Sequence, residues 1–277
     1  MIGLCTDSNS QLPRELAARY GIEVVPQTVF IDGVELLEGV DIDADQFYEH
    51  FAGGAKPEVA TSPPSVERFD AAYRRLADRG CDEVVSIHVT SALSGTVGVA
   101  RAAAERAPVP VHVVDSGTAS FGISCCVWAA ALAERDGAPA PDVVRAASDL
   151  SPRIGVVLVI GVPQLAVAGG RASSLDLESD GIPVLAMTGG SSPEVLSRVR
   201  TIGAAVVTMA DYALRQGDAV NVALGTSDET SRPVVEALQE ALEAADQVVD
   251  IVHYRIGPSV GAHTGPGTAA LFVFPAT

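Results

Sequence analysis

The stretch Val84-Val85-Ser86-Ile87-His88-Val89-Thr90-Ser91-Ala92-Leu93-Ser94-Gly95-Thr96 changes character half-way along. It begins as a short apolar run with β-branched residues, the pattern of a buried strand. It ends in small hydroxyl residues, and the alanine-rich run Val97 to Arg106 beyond it predicts a helix. The hydroxyls therefore sit on a strand-to-helix turn. The N–H groups that open such a helix, and the positive end of its dipole, face the turn. A phosphate or carboxylate suits that position. A hydroxyl-rich N-cap without a ligand is the other reading of the same residues.

Working outward, strand and helix alternate on both sides. Ile2 to Cys5 predicts a strand ending at Thr6-Asp7-Ser8, and Pro13 to Tyr20 a helix stopped by Gly21. Ile22 to Val25 predicts a second strand. Val29-Phe30-Ile31 and Val34-Glu35-Leu36 flank Asp32-Gly33, a two-residue hairpin signal. Asp43 is placed to cap a helix over Ala44 to Phe51. Val66, Phe69, Ala72, Tyr73 and Leu76 recur at helical spacing behind the proline loop Thr61-Ser62-Pro63-Pro64-Ser65. Val111 to Val114 predicts a strand that ends at Asp115-Ser116. Helices are expected over Ala119 to Arg135 and Pro141 to Leu150.

Such alternation predicts a mainly parallel α/β sheet. Its boundary falls at Ser151-Pro152-Arg153, giving domains 1–150 and 151–277. With 277 residues the chain exceeds what one ordinary core serves, which also predicts two parts. In the second part strands are expected at Ile154 to Val162, Ile182 to Met187, Val220 to Leu224, Val248 to Tyr254 and Ala269 to Phe274. Helices are expected at Ile202 to Arg215 and Pro233 to Ala245. Gly257 to Gly267 reads as a glycine-rich loop.

Composition excludes some functions. A formal charge of −17 should repel nucleic acid and anionic membrane surfaces. Cys5, Cys81, Cys125 and Cys126 form no CxxC and no zinc spacing, so buried free thiols in a reducing compartment are expected, with no metal. Met1-Ile2-Gly3-Leu4 enters a strand without a basic leader. The near-apolar run Phe121 to Ala133 is too short to cross a bilayer and predicts a buried helix. These features predict a cytoplasmic protein with no integral membrane association.

Several strand ends carry small hydroxyl or acidic groups: Thr6-Asp7-Ser8, Thr90-Ser91 with Ser94, and Asp115-Ser116. Thr61-Ser62 adds a further set. In open α/β sheets the carboxyl ends of the strands line the ligand crevice, although Ser, Thr and Asp are also ordinary turn residues. A second stretch, Val260-Gly261-Ala262-His263-Thr264-Gly265-Pro266-Gly267-Thr268, surrounds one histidine with glycines that let backbone approach a ligand. His263 there can donate to an anion, act as an acid, or serve structure alone. His50, His88, His112 and His253 have no comparable setting and receive no role. Arg171 follows Gly169-Gly170, and a guanidinium suits a carboxylate or phosphate. There is no GxSxG elbow, no Walker A loop and no GxGxxG. Ser94 and His263 could form a nucleophile and base, without an acidic third partner that the sequence singles out.

The proline loop, Ser91-Ala92-Leu93-Ser94-Gly95-Thr96, Gly169-Gly170-Arg171 and His263-Thr264-Gly265-Pro266-Gly267 fall in the order and spacing of the DegV family. Thr6-Asp7-Ser8 and Val113-Val114-Asp115-Ser116 fit as well, so the resemblance spans nearly the whole chain. It implies two α/β subdomains, the first with a mainly parallel sheet, with a ligand between them. It implies a carrier, not a catalyst. Such a protein holds one long-chain fatty acid and presents its carboxyl group to a separate fatty acid kinase, with no cofactor. By position, Thr61 and Ser94 match the family's carboxyl-holding threonine and serine. His263 matches its loop histidine, and Arg171 the arginine near the head group. Ser62, Gly95, Thr96 and Thr264 complete the ligand-binding set. Two departures stand out: Pro63 replaces a usually polar residue, and the segment Ala172 to Gly181 is shorter than the family's. The competing reading is an enzyme, either a Ser/His hydrolase or a phosphoryl-transfer protein.

Overall fold

The computed structural model describes residues 1–170, 179–188 and 193–276. The chain opens with β1 (Ile2–Asp7), α1 (Arg14–Arg19), β2 (Glu23–Val25), β3 (Thr28–Ile31) and β4 (Val34–Leu37). It continues through α2 (Ala44–Glu49), β5 (Val59–Ser62), α3 (Val66–Asp78), β6 (Glu83–His88), α4 (Thr96–Ala104) and β7 (Val111–Asp115). Then come α5 (Phe121–Arg135), α6 (Ala140–Leu150), β8 (Gly155–Val159), α7 (Pro163–Ala168), β9 (Ile182–Thr188) and β10 (Glu194–Val199). The last elements are α8 (Ile202–Leu214), β11 (Val220–Thr226), α9 (Arg232–Glu243), β12 (Val248–Arg255), α10 (Pro258–Thr264) and β13 (Ala269–Pro275). The β3–β4 hairpin turns on Asp32 and Gly33, both at positive φ, as the Asp-Gly pair predicts. Asp43 and Gln46 form a capping box at the start of α2.

Two compact units divide the described residues. The first comprises Met1–Phe30, Val34–Asp41 and Thr61–Pro152; the second comprises Ile31–Gly33, Ile42–Ala60 and Arg153–Thr277. Strands β3, β4 and β5 make a sheet of their own in the order β4-β3-β5.

The first unit holds a four-stranded sheet, order β2-β1-β6-β7, in which every pairing is parallel. Helices α3 and α4 pack on each other and on this sheet, burying Phe69, Ala72, Tyr73, Leu76 and Ala100 against Cys5, Val25 and Val84. Helix α5 is buried along most of its length, including Phe121, Ile123, Cys125, Cys126 and Val127, because α6 and the sheet cover it. Its apolar run is core, not a span. Among the described residues no helix is long and apolar enough to cross a membrane. All four cysteines are free and buried. Burial pushes the Cys5 and Cys126 thiols up to about 12.

Among the described residues the second unit holds a six-stranded mixed sheet, order β10-β9-β8-β13-β11-β12. Only β11 and β12 run parallel; the other pairings are antiparallel. Strand β8 shows the two-residue period of a sheet covered on both faces. Val157 and Val159 enter the core with Met209, Leu238 and Leu271, whereas Leu158 and Ile160 pack with Ala166 and Leu185.

Three segments of the second unit depart from the sequence reading, and β5 adds a strand over Val59–Ser62, where Thr61 and Ser62 read as part of a loop. The expected strand Ile154 to Val162 ends at Val159, because at Gly161 the backbone meets Pro266 and Gly267 and α7 begins at Pro163. Glu194–Val199 adds strand β10 beside β9, in a stretch for which no element was expected. The glycine-rich loop contains a helix, α10. Pro258 sits in its first turn, and Gly265 caps it at φ 73° while donating from its N–H to Gly261 O. Gly261 is tolerated there because Phe47 and Tyr48 fill the space a side chain would occupy, so packing overrides propensity.

Candidate functional site

In the first unit all four strands bring their carboxyl ends to one edge. β1 ends at Asp7, Gln27 lies two residues past β2, β6 ends at His88 and β7 at Asp115. The register sets Asp7 beside Val25, Thr6 beside Ile87, and His88 beside Asp115. The chain leaves β1 toward β2 on one side and leaves β6 toward β7 on the other. The strand order therefore reverses between β1 and β6, the position where open parallel sheets hold ligands.

Asp7 is the centre of this edge and has no exposed surface. One of its oxygens accepts from Asn9 N and from Gln27 Nε2, both at 3.0 Å. The other accepts from His88 Nδ1 at 2.9 Å and Val89 N at 3.2 Å. Four N–H donors replace the water a buried carboxylate loses. His88 Nε2 lies 2.6 Å from Ser86 Oγ, which lies 3.0 Å from the Tyr73 hydroxyl. On the other side Gln27 Nε2 also donates to Thr96 Oγ1 at 3.1 Å, and Thr96 Oγ1 lies 2.8 Å from Ser94 Oγ. The carboxylate is thus joined through one amide and one hydroxyl to the half-buried Ser94.

Ser94 stands on the turn before α4, Gly95 precedes the helix and is exposed, and Thr96 is its first residue and fully buried. Pro63 Cγ would lie 3.5 Å from a Cβ on Gly95, so the loop after β5 meets this turn. Thr61 and Ser62, both half-buried, end β5 just before Pro63. On the neighbouring strand Asp115 accepts from Ser91 Oγ at 2.5 Å, from Ser91 N at 3.1 Å and from Gly117 N at 3.0 Å. Partial burial raises its pKa, but these hydrogen bonds outweigh that effect and hold it below the ordinary value.

His263 and Thr264 close α10 in the second unit. A Cβ on Gly169 would stand 2.6 Å from His263 Nδ1, so Gly169 and the imidazole lie against each other. Thr264 O accepts from Val162 N at 2.9 Å, and Thr268 Oγ1 reaches Thr264 O and Gly265 O at 2.9 Å while accepting from Gly161 N. Gly267 N donates to Asp228 Oδ1 at 2.7 Å. Arg171 and residues 172–178 of the shortened segment lie outside the described residues.

Sequence reasoning singled out Asp7, Thr61, Ser62, Ser94 and Thr96 but passed over His88 and Gln27. Their signal is positional: both stand at or just past a strand's carboxyl end. The order Ser86, His88, Asp7 resembles a hydrolase triad. All three side chains have no exposed surface, so no substrate carbonyl reaches Ser86. Ser94 is hydrogen-bonded to Thr96 rather than to an imidazole of this unit.

Residues 1–276 match the model of the DegV family, described as uncharacterised proteins. A DegV domain-containing protein of Streptomyces coelicolor is 30% identical over 276 residues, covering 98% of each chain. A fatty-acid-binding DegV family protein from Thermus thermophilus has a similar structure, with TM-score 0.89, 29% identity and 99% of each chain covered. DegV from Bacillus subtilis, also described as a fatty acid binding protein, superposes with TM-score 0.87 over 99% of each chain at 21% identity, which bears on fold alone.

Proposed function

The chain belongs to the DegV family, and from that premise we propose that it binds a long-chain fatty acid as a carrier and presents the carboxyl group to a separate fatty acid kinase. The observation that carries this reading is the Ser94 hydroxyl, held by Thr96 on a strand-to-helix turn where the strand order reverses. The Thermus thermophilus relative, described as binding fatty acid, supports it.

The chemistry suits such a ligand. Withdrawing the acyl chain from water contributes about 0.8 kcal/mol per CH₂. Desolvating the carboxylate costs several kcal/mol unless donors replace its water, roughly in line with other buried charges. Thr61, Ser62, Ser94 and the N–H groups opening α4 after Thr96 supply donors on the first unit. His263, Thr264 and Arg171 are the head-group candidates of the second. The acyl phosphate is made by the kinase, so the carrier needs no nucleophile, metal or cofactor of its own, and works in the cytoplasm.

Denaturing mass spectrometry of the purified protein tests this directly. About one fatty acid per chain is expected, and Thr61→Ala or Ser94→Ala should weaken oleate binding by roughly 1–3 kcal/mol. No extracted lipid, together with no binding of added oleate or palmitate, would overturn the carrier reading. Hydrolysis of a short-chain ester by the wild type, abolished in His263→Ala, would replace it with the Ser/His enzyme.

A further inference from the structure

We propose that Gln27 is a positioning residue: it fixes the Ser94 hydroxyl as an outward hydrogen-bond donor and so sets the head-group site's preference for a carboxylate. The inference rests on the fatty-acid reading above and adds a residue and a selectivity rule to it.

Gln27 is 4% exposed, and its main chain is pinned on both sides. Its N–H donates to Ser8 Oγ at 2.9 Å, and its carbonyl accepts from Glu38 N at 3.1 Å. Ser8 in turn donates to the buried Glu38 carboxylate at 2.5 Å. The side-chain amide can face Asp7 only with its NH₂, because a carboxylate accepts and does not donate. That NH₂ has two protons. One goes to Asp7 Oδ1 at 3.0 Å and the other to Thr96 Oγ1 at 3.1 Å.

Thr96 Oγ1 is thereby an acceptor, and its own proton needs a partner because the residue is fully buried. Ser94 Oγ lies within reach at 2.8 Å. The backbone N–H of Thr96 also points at Ser94 Oγ, at 3.3 Å. Two donors then occupy the lone pairs of Ser94, and its remaining group, the O–H, faces away from the network. Ser94 is half-buried and Gly95 beside it exposed, so that proton is offered to whatever occupies the turn.

A carboxylate accepts hydrogen bonds and donates none, whereas an alcohol does both. Without the Gln27 amide, donating to Ser94 leaves Thr96 with no hydrogen bond to accept, so accepting from Ser94 becomes as favourable as donating to it, and Ser94 can then turn its lone pairs outward. Carboxylate binding loses a donor, while an alcohol keeps a partner either way. The rule is therefore a ratio, not merely an affinity.

The test compares oleate with oleyl alcohol on the full-length protein and on Gln27→Met, which keeps the length of the side chain without its donor. The expected result is a loss of about tenfold or more in oleate affinity with a change under about threefold for the alcohol. Thr96→Val should shift the ratio in the same direction and carries the test should Gln27→Met not fold, as judged by its thermal transition. If wild type binds oleate but both variants keep its ratio of oleate to alcohol, the inference fails while the carrier reading stands. A proportional loss of both ligands would mark Gln27 as structural only and also overturns it. Wild type that binds neither ligand removes the carrier reading and the inference with it.

Discussion

The turn that carries Ser94 and the segment that carries His263 are anchored by opposite means. In the first unit the anchor is made of side chains: one carboxylate, an amide, an imidazole and three hydroxyls, nearly all without exposed surface. In the second unit it rests chiefly on glycines packed against neighbouring chain, with Thr268 and Asp228 adding side-chain hydrogen bonds. Gly161 meets Pro266 and Gly267, Gly169 meets His263, and Gly265 leaves the helix at positive φ. A side-chain anchor has a defined polarity, since each proton has one direction. A backbone anchor has tolerance only for the absence of Cβ. The first can therefore specify which chemistry it faces; the second can only fix where a residue stands.

The largest effect should come from the backbone anchor. A methyl group on Gly161 would overlap the Pro266 carbonyl oxygen, which belongs to main chain and cannot rotate away. Gly161→Ala should destabilise the protein by more than about 3 kcal/mol, beyond an ordinary overpacked site. Chemical denaturation measures this. A loss under about 1 kcal/mol would mean the segment yields easily, and the contrast between the anchors would be lost.

Asp7→Ala breaks the side-chain anchor. It leaves Asn9 N, Gln27 Nε2, His88 Nδ1 and Val89 N short of an acceptor. A cost of roughly 2–3 kcal/mol is expected, since small shifts and entering water recover part of the loss. The thiols offer a local readout, because Cys5, Cys81, Cys125 and Cys126 all belong to the first unit. With Cys5 and Cys126 pushed up to about 12, little thiolate forms at neutral pH. In native wild type these two thiols should resist alkylation, in denaturant all four should react, and Asp7→Ala should speed native labelling. Rapid native labelling of wild type at Cys5 or Cys126 would contradict the packing described.

The smallest effect concerns Asp115. Its folded pKa is lowered, so its contribution is present above the unfolded value of about 3.9 and disappears as pH falls through the lowered folded value. Wild type should exceed Asp115→Asn in thermal stability near neutral pH, with the difference shrinking as the pH drops below about 4. A difference that stays constant into acid would remove the carboxylate from the account of this turn.

Much of the first sheet was legible because its signals are local. Short apolar runs with β-branched residues, helical spacing in Val66 to Leu76 and the Asp32-Gly33 pair each settle their own element within a few residues. Likewise Thr6-Asp7-Ser8 and Ser91 to Thr96 marked strand ends where hydroxyls collect. Helix α10 and strand β10 escaped because their support is remote. Gly261 reads as a helix breaker until Phe47 and Tyr48 are packed against it, and β10 gains its identity by pairing with β9. His88 and Gln27 escaped for a related reason: a lone histidine and a glutamine after a proline carry no pattern.

By itself, then, the sequence determined the alternating α/β character, the mainly parallel first sheet, the hydroxyl-bearing strand ends and the buried state of the cysteines. These follow from residue type and spacing within single elements. Only the tertiary structure decided that Ile42–Ala60 belongs with the unit containing 153–277, that Gly161 and Gly169 are required by neighbours about 100 residues away, and that Asp7 reaches Ser94 through Gln27 and Thr96. The physical reason is that a hydrogen bond's direction and a Cβ's room depend on partners distant in the chain, and no local periodicity records them.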